Sequence, residues 1–337
     1  MTSDTKPFRT VALTGATGFI GTALLPALVP QCARVRLLTR AKTGGIAGCD
    51  MVRGDFADAT ALEALVRGAD VVLHLGGYAH AASKPSAAEL ERHRRINLEG
   101  TQELFRSAAH AGARRFVYVS SVKAGGEDAH ECLDESSARM PADPYGRIKR
   151  ETEEWLLEHG ARSGVEVCIL RPALVYGPGV KGNLAAMLRA IDRGRFPPVP
   201  ETHNIRSMIG VQDVVAALLA AAARPEAAGQ VCILTDGEAY STRRIYTAMA
   251  AALGRRVPSW TVPAGALRAL GRIGDAGEFL LRRTLPFNGT LAARLLDSAC
   301  YRSVQAERAL GFAPRYRLED VLPEMVAVYR SAPRRDT

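Results

Sequence analysis

Short apolar runs alternating with helical stretches through the first half of the chain predict an α/β fold. The expected architecture is a doubly wound parallel Rossmann sheet with a smaller, mostly helical lobe. Three observations carry this. The runs Val11–Thr14, Val35–Leu38, Val71–Leu75, Phe116–Ser120 and Val165–Leu170 are almost wholly apolar, as strands buried on both faces are. Helical stretches separate them at Ile20–Leu28 (with Pro26 inside it), Ala61–Val66, Asn97–Ala111 and Tyr145–Ala161, which makes βαβ units with right-handed crossovers. The pattern then changes after Pro178: Gly177-Pro178-Gly179 reads as a turn and Phe196-Pro197-Pro198-Val199-Pro200 as a stiff loop. Residues 8–178 are therefore expected to form the sheet domain. Residues 208–235 return to it through a helix at Asp213–Ala223 and a strand at Gln230–Leu234. Residues 179–207 and 236–330 make the smaller lobe.

Bulk properties narrow the function classes. The 337 residues are 47% hydrophobic and 23% charged, ordinary values for a globular protein. The longest apolar run, Val214–Ala223, is far short of the ~20 residues a bilayer span needs. Met1–Arg9 carries no apolar signal core, so a cytoplasmic location is expected. The six cysteines are scattered, with no Cys-x-x-Cys, and read as reduced packing residues; no metal site is expected. The net charge of +9 comes almost wholly from arginine, since only six of the 44 basic residues are lysine. Such a balance attracts phosphate-bearing ligands or an anionic membrane surface. With 6% aromatics and no basic run interleaved with them, nucleic acid is not an expected partner. The stretch Ala266–Phe287 mixes leucines with Arg268, Arg272, Arg282 and Arg283. It reads as a helix with a solvated basic face, with peripheral membrane contact as the alternative.

The first strand runs straight into Thr14-Gly15-Ala16-Thr17-Gly18-Phe19-Ile20-Gly21 and a helix follows. In that context Gly15 permits the tight turn, Gly18 lets backbone approach a pyrophosphate, and Gly21 lets helix and strand pack closely. Thr17, Phe19 and Ile20 belong to the same dinucleotide site, at the positive end of a helix dipole. A site selective for NAD would place an acid near the end of the second strand, yet Asp and Glu are absent from Thr5 through Cys49. Arg40 closes that strand instead, and a guanidinium there suits a 2′-phosphate. NADP(H) is therefore the expected cofactor, with NAD(H) the alternative. Asp55 is expected to meet the adenine amino group, with Phe56 packed beside it.

Tyr145 and Lys149 stand four apart and share one helix face. A free phenol, with a pKa of ~10, is a poor base at neutral pH. A nearby ammonium and a positive nicotinamide are expected to draw Tyr145 down towards the working range. Lys149 also suits the nicotinamide ribose. Ser121, at the end of the fourth strand, would donate to the substrate oxygen, and Asn97 would bond a carbonyl or water behind Lys149.

The chain resembles extended short-chain dehydrogenases/reductases of the NAD-dependent epimerase/dehydratase family. Beyond the glycine turn, the motifs are His74-Leu75-Gly76-Gly77, Asn97-Leu98-Glu99-Gly100-Thr101, Val119-Ser120-Ser121-Val122, Pro144-Tyr145-Gly146-Arg147-Ile148-Lys149 and Leu170-Arg171-Pro172-Ala173-Leu174-Val175-Tyr176-Gly177-Pro178-Gly179. The stretch 175–183 and Asn204-Ile205-Arg206-Ser207 resemble the UDP-glucose 4-epimerase-like and UDP-4-keto-6-deoxy-sugar 4-reductase subgroup. The resemblance implies that Ser121, Tyr145 and Lys149 are the catalytic trio, with Asn97 behind Lys149 completing the expected site, and that Leu75, Gly76 and Gly77 lie against the cofactor. It further implies that Asn183 and Arg206 meet the diphosphate of a nucleotide sugar, and that helices near Gln102 and Glu153 form a homodimer interface. Asn183 also reads as a helix N-cap, Arg206 as a surface arginine, and Asp213 as an N-cap. Leu174 and Lys123-Ala124-Gly125-Gly126 depart from the family pattern, which bears on the substrate rather than on the hydride chemistry. His80, just past the third strand, reads as loop packing. The expected function is hydride transfer at C4 of an NDP-hexose, by epimerisation or 4-keto reduction. The alternatives are an NADPH-dependent reductase of an apolar ketone and a non-catalytic dinucleotide-sensing regulator.

Overall fold

The computed structural model describes residues 6–40, 44–78, 86–137, 139–281, 285 and 287–331. Seven parallel strands form the main sheet: β1 (Phe8–Thr14), β2 (Cys32–Thr39), β3 (Asp50–Arg53), β4 (Val71–His74), β5 (Arg115–Val119), β6 (Glu166–Pro172) and, after two strands described below, β9 (Val231–Leu234). Their order is β3-β2-β1-β4-β5-β6-β9. The order reverses between β1 and β4, and a doubly wound sheet opens its ligand crevice at the strand ends there. Val11, Leu13, Val71, Leu73, Val117 and Leu170 are fully buried on one face, where helices Phe19–Leu28 and Val211–Ala223 cover them. Ala12, Val72, Phe116, Tyr118 and Ile169 face helices Ala59–Val66, Gly100–His110 and Pro144–Ser163 on the other.

Several elements differ from the sequence reading. β3 is an extra edge strand, four residues long and half-exposed, with too little alternation to announce itself. The single helix expected at Asn97–Ala111 is three pieces: Ala87–Arg94, a π-turn at Arg95–Glu99, and Gly100–His110. Pro26 does not interrupt its helix: its ring lies on the exposed side, where water can meet the Thr22 carbonyl that it leaves without a helical donor. Asp213 is not an N-cap; Gly210 holds that position. The buried Asp213 carboxylate accepts from Arg315 N (3.0 Å) and Tyr316 N (3.1 Å), pinning the chain that enters the last helix.

A second apolar cluster gathers Tyr176, Leu184, Leu188, Met208, Tyr240, Tyr246, Met249 and Leu322 beyond the sheet's carboxyl end. It includes a two-stranded parallel sheet of β7 (Leu174–Tyr176) and β8 (Met208–Gly210). Asp236 ties this lobe to the sheet domain: its Oδ2 accepts from Tyr176 Oη (2.8 Å) and Tyr240 Oη (2.9 Å). Helix Ala264–Leu281 packs inward through Leu267, Gly271, Gly274 and Glu278. Arg268 and Arg272 are exposed on it, and Leu270, Ile273, Leu280 and Leu281 are exposed as well, which the sequence reading did not foresee. Arg282 and Arg283 lie outside the described residues, as does His80.

The cysteine reading requires one correction. Cys132 and Cys300 are disulfide-bonded, with Cα atoms 4.4 Å apart. A backbone ladder holds the two segments in register, Leu133 N donating to Cys300 O and Arg302 N to Leu133 O, each at 2.9 Å. The two cysteines are 168 residues apart, so no spacing pattern could announce the pair. Cys32, Cys168 and Cys232 are buried free thiols, as packing residues are, and Cys49 is half-buried. Among the described residues no cluster of His, Cys, Asp and Glu could hold a metal, and no helix is long and apolar enough to cross a membrane.

Candidate active site

The glycine turn is built as a close-packed cradle. Gly15 sits at φ +76°, and a Cβ there would lie 2.6 Å from Gly76 N. A Cβ on Gly21 would lie 2.2 Å from Gly15 O, so helix and turn meet at a distance only glycine allows. Gly18 N donates to Gly15 O (2.9 Å), and no side chain caps the N-terminus of the helix that starts at Phe19. Uncapped N–H groups at a helix start behind a glycine turn fit a dinucleotide pyrophosphate. Thr17 is exposed at the mouth, Phe19 reaches Gly177, and Ile20 packs on the core. Arg40 is exposed at the end of β2 and has no ion-pair partner among the described residues. Asp55, also exposed, accepts from Ala57 N (2.9 Å). The Phe56 ring lies edge-on to His74 (5.3 Å) and fills the space a side chain would take at Gly76 and Gly100.

His74 sits fully buried behind this turn, between Thr14 Oγ1 (2.6 Å) and Thr101 Oγ1 (2.8 Å). Thr14 Oγ1 also accepts from Gly76 N (3.1 Å), and Thr101 Oγ1 donates to Asn97 O (2.7 Å). Burial, with Lys149 nearby, pushes the imidazole down to about 3, so it stays neutral and acts as a spacer. Asn97 lies in the π-turn. Its Oδ1 accepts from Tyr78 N (2.7 Å) and its Nδ2 donates to Tyr78 O (2.9 Å), clamping the chain that follows Gly77. A Cβ on Gly77 would lie 2.9 Å from Asn97 Oδ1 and 4.0 Å from Lys149 Nζ, so this glycine keeps the turn close to the lysine.

Helix Pro144–Ser163 starts sharply: Asp143 caps Gly146 N (2.9 Å) and Pro144 occupies the first turn. That start places Tyr145, half-buried, beside the His93 ring at 5.7 Å. Lys149, one turn on, is buried, and its Nζ donates to Tyr118 Oη (2.9 Å) and Val119 O (3.2 Å). Burial pulls Lys149 down to about 8, with Glu153 opposing. Burial, with Asp143 adding to it, pushes Tyr145 up to about 12. The expected downward pull of Lys149 on Tyr145 is therefore absent from the protein itself, whose lysine is bonded to a different phenol. Ser121, two residues past β5, caps a short 3-10 turn, its Oγ accepting from Lys123 N (3.3 Å). Next to it Ser120 Oγ is buried with no partner among the described residues, a hydroxyl that a bound ligand or water would satisfy.

On the lobe side, Asn183 is exposed in the first turn of helix Gly182–Asp192. It is not the N-cap; Lys181 is, and no side chain caps that start. Arg206 is not a free surface arginine. Its backbone is fixed between Tyr240 and Ala299, and its guanidinium makes one long bond to Asp297 O (3.4 Å). No carboxylate lies within ion-pair distance among the described residues, although Glu127 exerts a distant attraction, and burial lowers its pKa.

Sequence reasoning missed Tyr118, Thr14, Thr101 and the buried Arg171–Glu153 pair. Arg171 Nε lies 3.0 Å from Glu153 Oε1, which fixes Glu153 behind Lys149 on the same helix. Tyr118 left one signal: a tyrosine in an otherwise apolar buried strand must find a partner for its hydroxyl. Glu153 is thus an internal residue, unavailable to the dimer interface expected near it.

The chain is similar to several known proteins. The sequence profile of the NAD dependent epimerase/dehydratase family matches residues 11–235. A UDP-glucose 4-epimerase of Vibrio cholerae is 33% identical over 266 residues, covering 78% of this chain and 80% of its own. A 4-hydroxy-2-methyl-3-oxo-4-farnesyl-3,4-dihydroquinoline-1-oxide ketoreductase of Stigmatella aurantiaca is 29% identical, covering 90% and 91%. Among solved structures, MoeE5 in complex with UDP-glucose and NAD superposes with a TM-score of 0.74 at 25% identity, covering 96% and 98%. With its glycine cradle, parallel sheet and Tyr145/Lys149 helix in place, the chain belongs to the NAD dependent epimerase/dehydratase family and is an NAD(P)-dependent enzyme of the extended short-chain dehydrogenase/reductase type.

Proposed function

We propose that this enzyme acts at C4 of a nucleotide-diphosphate hexose, by 4-epimerisation or by reduction of a 4-keto sugar. The observation that carries the reading is Arg206, a half-buried guanidinium with no carboxylate partner among the described residues. A cation in that state favours an anionic ligand, and a diphosphate matches its planar fork. Asn183, at an uncapped helix start, supplies a second diphosphate contact.

A dinucleotide held by the Gly15–Gly21 turn and Lys149 would supply the hydride chemistry at C4. The protein's part is to hold the sugar and move the proton. Tyr145 Oη takes the C4 hydroxyl proton in the oxidative direction and returns it in the reductive one, and Ser121 Oγ orients the same oxygen. Lys149 supplies a donor for the ribose, while Tyr118 Oη and Val119 O fix its position. Asn97, by clamping Tyr78, keeps the Gly76–Gly77 turn against the cofactor. Gly15, Gly18 and Gly21 shape the pyrophosphate cradle, and Arg40 faces the 2′-phosphate of NADP(H). NAD(H) is the alternative that the family and MoeE5 support.

UDP is expected to raise the unfolding temperature of the wild type but not of Arg206→Ala; equal shifts in both would refute the diphosphate assignment. No shift with any nucleotide would instead favour an apolar ketone, the reading that the Stigmatella aurantiaca relative supports. Arg40→Ala should weaken NADPH far more than NADH, and equal losses by titration would return the cofactor to NAD. Tightly held NAD found by mass spectrometry of the purified protein would favour epimerisation. We assign the working unit to a homodimer through helices Gly100–His110 and Pro144–Ser163, which sedimentation velocity tests.

A further inference from the structure

The geometry points to helix Ala264–Leu281 as a docking surface for an anionic lipid bilayer. Small residues set the helix tightly on the lobe: a Cβ on Gly274 would lie 2.1 Å from Phe287 O, and one on Gly271 2.9 Å from Ala292 Cβ. That seats Leu267 and Glu278 inward and turns the opposite side out. At 3.6 residues per turn, Leu270, Ile273, Leu280 and Leu281 fall on one outward stripe. Ile273 is 67% exposed and Leu280 78% exposed, against 2% for Leu267. Trp260, just ahead of the helix, is 63% exposed, and Phe279 at its end is 85% exposed. Large apolar side chains clustered in the open mark an interaction site rather than ordinary surface.

Charge identifies the occupant. Arg268 and Arg272 line one edge of the stripe, both exposed. Between residues 253 and 300 the sequence has seven arginines and no lysine against three acids. All three acids are engaged within the lobe. Glu278 Oε1 accepts from Asn288 Nδ2 (2.8 Å), Asp275 Oδ1 from Gly289 N (3.2 Å), and Asp297 pairs with Arg268 (3.0 Å). The surface thus presents apolar side chains, an aromatic and a positive edge together. An amphipathic helix lying in the plane of an anionic interface has this composition. A second copy fits less well, because it would press one net-positive lobe against another.

The test uses the whole protein with vesicles of phosphatidylglycerol and phosphatidylethanolamine, against vesicles of phosphatidylcholine. Co-sedimentation should occur with the anionic vesicles, weaken with added salt, and fall more than ten-fold in Ile273→Asp/Leu280→Asp. Arg272→Ala should weaken it about five-fold, the effect of one cation near an anionic surface. The Trp emission should shift to the blue on binding, and Trp260→Phe should remove that shift. Both replaced leucine-stripe side chains are exposed, so the unfolding midpoint should not move, which separates docking from folding. No partition to anionic vesicles, equal partition to phosphatidylcholine, or a dimer-to-monomer change in the aspartate variant with vesicle binding intact would each overturn the assignment.

Discussion

Lys149 should make stability depend on pH in a way that its replacement removes. The side chain is 5% exposed, and burial holds its folded-state pKa at about 8 against an ordinary value of 10.5. Below pH 8 both folded and unfolded chains carry the proton, and the full cost of burying the ammonium opposes folding. Between pH 8 and 10.5 the unfolded chain keeps a proton that the folded chain has released, so stability rises with pH. The slope is about 1.4 kcal/mol per pH unit, giving about 3 kcal/mol across that window. Lys149→Met removes the titration. It also removes the bonds to Tyr118 and Val119, but that loss is nearly the same at every pH and cancels from the slope. Guanidinium unfolding of both proteins from pH 7 to 10.5 measures the difference. The wild type should gain about 3 kcal/mol on the variant as the pH rises. Parallel curves would show that the ammonium is not desolvated as the structure places it, and would undo the account of Lys149 as a buried, tunable cation.

Tyr145→Phe should abolish turnover while dinucleotide affinity stays within about three-fold, a change under about 1 kcal/mol, because the phenol is proposed to act on the substrate oxygen; unchanged turnover ends its acid/base role. Gly21→Ala should destabilise the fold by about 1–3 kcal/mol and weaken dinucleotide binding more than tenfold, because the added methyl meets Gly15 O at 2.2 Å; calorimetry and titration read both. Arg171→Leu should cost about 3–5 kcal/mol in denaturant unfolding by stranding the buried Glu153 carboxylate, and Arg171→Leu/Glu153→Leu should recover part of it. Alkylation of the unfolded protein should modify four thiols without reductant and six with it, and six in both would remove the Cys132–Cys300 bond.

Much of the sheet domain was legible because its signals are local. Buried parallel strands leave runs such as Val71–His74, and a helix that must start at a glycine turn leaves Gly15, Gly18 and Gly21 at fixed spacing. Tyr145 and Lys149 were legible for the same reason, since four residues apart on a helix means one face. β3 was not, because a short half-exposed edge strand has no pattern of its own. The caps assigned to Asn183 and Asp213 were misplaced by two and three residues, because the true caps, Lys181 and Gly210, carry no capping side chain.

The sequence by itself determined most of the alternation of strands and helices, the glycine turn, and the shared helix face of Tyr145 and Lys149, all properties of neighbours along the chain. Tertiary structure alone decided what those groups face. It brought Tyr118 rather than Tyr145 to the Lys149 ammonium, and set His74 between two threonines. It joined Cys132 to Cys300 across 168 residues and turned the leucines of helix Ala264–Leu281 outward with glycines beneath them. The physical reason is range: hydrophobic periodicity and turn chemistry act within a few residues, whereas burial, hydrogen-bond partners and shifted pKa values depend on groups that only the folded chain brings together.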